Sequence, residues 1–284
     1  MKDKIINRPT SWYVINIKAR RNQVPSHYIN AWKNIKEQDP LVDIPRTANR
    51  VVSVKNMIFG DENGVITWIS TRLVAYTIID PDQFYNRRTK EKLHMEWDDN
   101  IAANMKESEL FFIPAVHKVA VRKSSEISIN YILYYLQEAF NKIEQEGFDI
   151  DIVKDHDSLE KILSAHSIYT IEADISYSNP GNTRGFQRLF EDKARGANPN
   201  QINIKLVGSK NNPLQVEEDG LVKALINLSE ENGSVKAVIS QTENSAIEII
   251  DTNQHPFILR IPQIINDYCS TVYREFMTRY NQNE

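Results

Sequence analysis

A single cysteine, Cys269, among 284 residues leaves no partner for an intrachain disulfide, removes the common thiolate zinc clusters and favours a cytoplasmic setting. Glycine is scarce as well. The nine glycines include no Gly-x-Gly pair and none followed by lysine, so neither a P-loop nor a dinucleotide-binding turn is encoded. There is no Gly-x-Ser-x-Gly elbow, and the six histidines form no His-Glu-x-x-His or His-x-His set. Long apolar runs are missing too. The best stretches, Leu110 to Ile113 and Ile247 to Ile250, fall far short of the roughly 18 residues of a membrane helix. The opening Met1 to Pro9 has charge but no apolar core, so no secretory signal is expected. What is present, 41% hydrophobic and 25% charged residues, is the composition of a soluble globular protein of one large or two small domains.

The formal net charge of −4 hides a split. Residues 1–126 carry 20 Lys/Arg and 15 Asp/Glu, whereas residues 127–284 carry 14 and 23. A basic lobe of this kind can neutralise phosphates, present a solvated face, or dock on acidic surface of its own chain or of a second copy, which would make a homo-oligomer.

Hydrophobic periodicity outlines the elements. Trp12 to Lys18 reads as a strand, followed by a short helix capped by Ser26 with Tyr28, Ile29, Trp32 and Ile35 at helical spacing. Arg50 to Phe59 and Val65 to Ile79 read as a hairpin across Gly60 to Gly64. An irregular polar stretch is expected from Phe84 to about Lys106, then one strand or a bent pair around Pro114. Ser128 to Glu146 is the strongest helix, stopped by Gly147. Strands and helices then alternate, ending in two strands to Asp251 and a C-terminal amphipathic helix carrying Ile265, Tyr268, Val272 and Phe276. The expected fold is α+β, with largely antiparallel sheets and packed helices in two lobes, a basic one at 1–126 and an acidic one at 127–284.

The order of several of these frames resembles one family. The hairpin Val51 to Ile79, Phe84-Tyr-Asn86, Pro114-Ala-Val-His117, Ile152 to Ile162, Thr170 to Asp174 and Ala224 to Gly233 are similar to an uncharacterised bacterial family known only as a domain of unknown function. The resemblance spans roughly residues 50–255. It implies a bacterial or phage setting and an anti-phage defence role with protein partners of a defence system, and it supplies no catalytic residues to carry over.

Two kinds of chemistry are open to the side chains. Asp149 and Asp151 alternate on one strand, Glu172 and Asp174 on another, and if the strands are neighbours the four carboxylates share a sheet face. Such a cluster would hold Mg²⁺ or Mn²⁺ for phosphoryl chemistry, or is the wet face of a half-covered sheet. Glu191-Asp-Lys193 and His156 with His166 are weaker nuclease candidates, with Asp155 or Asp157 capping a helix as the alternative for the second. Nucleic-acid contact has two candidate surfaces. In one, Lys18, Arg20, Arg21, Lys33, Arg46 and Arg50 make phosphate contacts while Trp12, Tyr13, Tyr28 and Trp32 serve as stacking platforms or as core. In the other, Arg184, Arg188 and Arg195 line one side of a helix. The functional expectation is therefore nucleic-acid binding, with a nuclease and a non-catalytic interaction subunit as alternatives.

Overall fold

The computed structural model describes the chain except residues 1–5, 21, 97, 99, 124–125, 144–146, 177–192, 194–196, 198, 200, 244, 264–267 and 281–284. The elements run β1 (Ile6–Ala19), α1 (Pro25–Gln38), β2 (Val42–Asp43), β3 (Arg50–Glu62), β4 (Val65–Thr77), β5 (Phe84–Asn86), β6 (Glu91–Leu93), β7 (Ala103–Ile113) and β8 (Lys118–Arg122). After these come α2 (Ile129–Ile143), β9 (Phe148–Ile152), α3 (His156–Leu163), β10 (Ser167–Ser176) and β11 (Gln201–Val207). The chain closes with α4 (Leu221–Asn232), β12 (Gly233–Ser240), β13 (Glu248–Asp251), β14 (Ile258–Gln263) and α5 (Tyr268–Tyr280). The fold is α+β. Every strand pairing among the described residues is antiparallel.

A large sheet runs β14-β1-β8-β7-β4-β3-β2. β9 also pairs with β1, on the side that β14 occupies further up: Tyr13 faces Ile258, and Ile15 faces Ile152. The two short strands lie end to end, joined where Val153 N–H donates to Val14 O and Phe257 N–H to Val153 O, both at 2.8 Å. A second sheet, β11-β10-β12-β13, carries its own core. Of the acidic stretch 127–284, α2, β9, β14 and α5 thus belong to the large sheet and its faces, while α3, β10, α4, β12 and Ile250 of β13 form the second core.

Period-two alternation sends Ile15, Ile17, Leu73, Ala75, Leu110 and Phe112 to one face of the large sheet. There α1 and α2 cover them. Helix α2 buries Ile132, Tyr135, Leu136, Ala139 and Phe140, an i, i+3, i+4, i+7, i+8 stripe, and Phe140 meets Trp32 edge-on at 5.5 Å. The opposite face, with Trp12, Val14, Phe111, Ile113 and Ala120, is covered by Val272 and Phe276 of α5.

Local chemistry explains most boundaries. The β3–β4 hairpin closes on Asn63 and Gly64, whose φ values of 54° and 80° give the paired left-handed residues a two-residue turn needs. Helix α1 starts at Pro25 rather than on a Ser26 cap; the ring's fixed φ suits a first helical position and Val24 provides no side-chain cap. Pro114 does mark the bend between β7 and β8, which turn back on each other through a 3-10 turn ending on His117 in the left-handed region and pair antiparallel. In place of the irregular stretch after Phe84, β5 and β6 form a two-stranded ribbon and β7 begins at Ala103. β14 is a strand that Pro262 hides in the sequence, because proline is tolerated only at an edge, where β14 lies.

Candidate functional site

The four carboxylates fall on different sheets: Asp149 and Asp151 on β9 of the large one, Glu172 and Asp174 on β10 of the small one. Asp149 is buried opposite Lys18, and Arg20 holds its Oδ1 through Nε at 3.2 Å and a terminal nitrogen at 3.0 Å. Its Oδ2 is buried without a partner, and burial pushes the carboxyl up to about 6 although the guanidinium of Arg20 opposes the shift. Asp151 is raised by burial as well, against a hydrogen bond from Ser176 and the charges of Lys154 and Lys18. Burial lowers Lys154, whose ammonium donates to Asn253 at 2.8 Å. On the small sheet, Glu172 faces Lys205 at 3.5 Å, and Asp174 accepts from Asn203 at 2.6 Å. Among the described residues no three His, Cys, Asp or Glu side chains come together as a metal set. His156 lies exposed between Glu160 and Glu230, and Asp155 caps α3 by accepting from Ser158 N–H at 3.3 Å.

The basic candidates separate likewise. Arg20 is engaged by Asp149, and half-buried Lys18 lies beside the β9 carboxylates. Lys33 is exposed on α1. Arg46 lies in the loop between β2 and β3, which Ile44 N–H closes by donating to Arg50 O at 2.8 Å, and Arg50, the first residue of β3, pairs in register with Thr77. Arg21, Arg184, Arg188, Arg195, Glu191 and Asp192 lie outside the described residues. The aromatic half of the N-terminal surface is core: Trp12, Tyr28 and Trp32 are fully buried, and Tyr13 is half-buried with the Lys123 ammonium 6.0 Å from its ring. Strand and helix periodicity turned these rings inward, so they offer no stacking platform.

The ribbon supplies what that surface lacks. Phe84 pairs with Leu93, Tyr85 with Lys92 and Asn86 with Glu91, leaving Arg87-Arg88-Thr89-Lys90 as the loop. Asn86 shapes it: its side-chain oxygen accepts from Arg88 N–H at 2.9 Å and Thr89 N–H at 3.2 Å, while Lys90, at φ 65°, donates its N–H to Asn86 O at 2.8 Å. Below the strands, Asp82 meets His94 at 2.7 Å, and that contact holds the Asp82 carboxyl below its ordinary value. Arg87, Arg88, Lys90 and Lys92 are exposed, and the first three make no ion pair among the described residues. Tyr85 stands 57% exposed beside them. The sequence signal was the density of cations in Arg87-Arg-Thr-Lys-Glu-Lys92; without glycine in the loop, nothing marked a turn.

The insert bearing the ribbon leaves β4 at Thr77 and returns at Ala103, which are cross-strand partners. At this root lies an open groove of about 540 Å³ lined by Leu41, Val74, Tyr76, Ile78, Ile101 and Met105, with Lys55 and Asn100 as its polar members. Val74 and Tyr76 alternate with Leu73 and Ala75 of the helix-covered core, so the groove occupies the other face of the sheet.

A family model described as a domain of unknown function (DUF4747) matches residues 8–278. No curated protein matches the chain.

Proposed function

The chain belongs to the DUF4747 family, whose description assigns no activity, and we propose from its own surface that it binds nucleic acid through the ribbon Phe84–Leu93. The observation that carries this reading is the set of exposed cations at the tip of a two-stranded element, three of them without an acidic partner among the described residues. Such charges neutralise phosphates and release the counterions condensed on a nucleic acid, and the exposed ring of Tyr85 stands beside them. Arg46 and Arg50 extend the basic surface, since Arg50 sits opposite Thr77 at the ribbon root. Lys18 and Arg20, committed to the β9 carboxylates, are left out of it.

The anti-phage setting and protein partners implied by the resemblance remain part of the proposal, as does a cytoplasmic location. Among the described residues no helix is long and apolar enough to cross a membrane. Plaque counts with and without the gene test the defence role: equal counts across a phage panel would remove it.

Binding itself is measured by fluorescence anisotropy over a salt series. Changing Arg87, Arg88 and Lys90 together to Ala should weaken binding at least tenfold at low salt and flatten the log K against log salt slope by about 2 to 3. Unchanged affinity and slope in that variant, or no binding by the natural chain, would refute the proposal.

A further inference from the structure

We propose that the groove at the ribbon root takes an unstacked base of a single-stranded nucleic acid whose phosphates run along the ribbon; this rests on the nucleic-acid reading above and adds the strandedness of the ligand. Three observations converge on it. First, the groove has the volume of a small-molecule site, about 540 Å³, suited to a nucleoside-sized group and far too small for a duplex. Second, its walls are apolar, and Ile78, Ile101 and Met105 remain about half exposed, so a planar ring seated there would cover surface that now meets water. Third, a cluster of cations stands at one end of it. Lys55 in the lining and Arg72 are balanced by Glu107 and Glu126, and Asp98 holds Asn100, but Arg50 and the exposed cations of the ribbon stand at the same end of the sheet.

An apolar slot with exposed cations at one end matches a strand that offers ring faces and phosphates together. A paired duplex keeps its bases stacked and would touch only the cations. The one donor–acceptor fork among the lining side chains, the Asn100 amide, already donates its NH2 to Asp98 Oδ1 at 3.0 Å, so it is not held ready to read a base edge. The expected recognition is therefore of single-stranded character, with little sequence preference.

The test compares three probes on the full-length protein: a single strand of about 12 nucleotides, the same length as a blunt duplex, and a single strand carrying abasic sites throughout. The variant combines Ile101→Ser with Met105→Ser, both at exposed positions outside the cores, and thermal unfolding checks that it stays folded. The single strand should bind the variant about tenfold more weakly, the duplex should bind it as before, and the abasic strand should bind the natural protein no better than the variant binds the base-bearing one. If the double variant holds the single strand undiminished, or abasic and base-bearing strands bind alike while the ribbon variant still loses binding, the groove proposal fails and the nucleic-acid reading stands. An apolar segment of a protein partner would then be the groove's occupant. If no probe binds the natural protein, both fall together.

Discussion

Asp149→Asn will remove a pH dependence built into β9. The carboxyl is 8% exposed, Arg20 holds one oxygen and the other has no partner, so ionising it in the folded chain costs more than in the unfolded one. Its ordinary value of 3.8 becomes about 6 on folding. Between those values the folded state binds the proton more tightly. The stability linked to that proton is complete below about pH 4 and is lost as pH rises through about 6, a total of about 3 kcal/mol. Asparagine keeps a hydrogen-bonding oxygen for Arg20 and does not titrate. Urea unfolding of both proteins at about pH 4.5 and about pH 7.5 isolates the effect, since most other groups titrate alike in the two chains. The stability of the variant relative to the natural protein should rise by about 2 kcal/mol from the lower pH to the higher. A difference that stays constant across this interval would refute the assignment of a costly buried charge to Asp149.

Three further outcomes rest on single contacts. Gly233 sits at φ 153°, and a Cβ there would lie 1.9 Å from the backbone oxygen of Asp174, so Gly233→Ala should cost ~2 kcal/mol or more in thermal or chemical unfolding. Asp155→Ala should cost about 1 kcal/mol by uncapping α3, while Asp157→Ala, two residues into the first turn, should cost only the roughly 0.3–0.5 kcal/mol of its interaction with the helix dipole. Buried Lys118 donates to Asn16 at 3.0 Å, and Asn16 in turn donates to Asn232 at 3.2 Å; Asn16→Val should therefore destabilise by roughly 1–3 kcal/mol, and an unfolding midpoint equal to the natural protein's would discount this chain of bonds.

The hairpin β3–β4, helix α2 and the elements α3, β10, β11, α4, β12 and β13 were legible because each rests on a local rule: Asn63-Gly64 for the turn, an apolar stripe for the helix, period two for the strands. The pairing of β9 with β1 was not, because strand partners more than 100 residues apart leave no mark on either segment. That pairing is also why Asp149 and Asp151 belong to a different sheet from Glu172 and Asp174 despite being written in the same alternating pattern. The ribbon escaped notice for a different reason. Its loop takes its positive φ at Lys90 and its closure from the Asn86 side chain, so the residues that make the turn look like ordinary surface.

The end-to-end placement of β9 and β14 along one side of β1 bears on how the chain is assembled in time. β1 leads the sequence, yet its partners on that side arrive at residues 148–152 and 258–263, and on the other side at 118–122. A growing chain therefore carries Trp12 to Ile17 without β-partners until β8 is made, and cannot close the far edge until Gln263 has been added. Loop closure over that span is slow, so the apolar strand that later lies at the centre of two cores is the segment most in need of protection during synthesis.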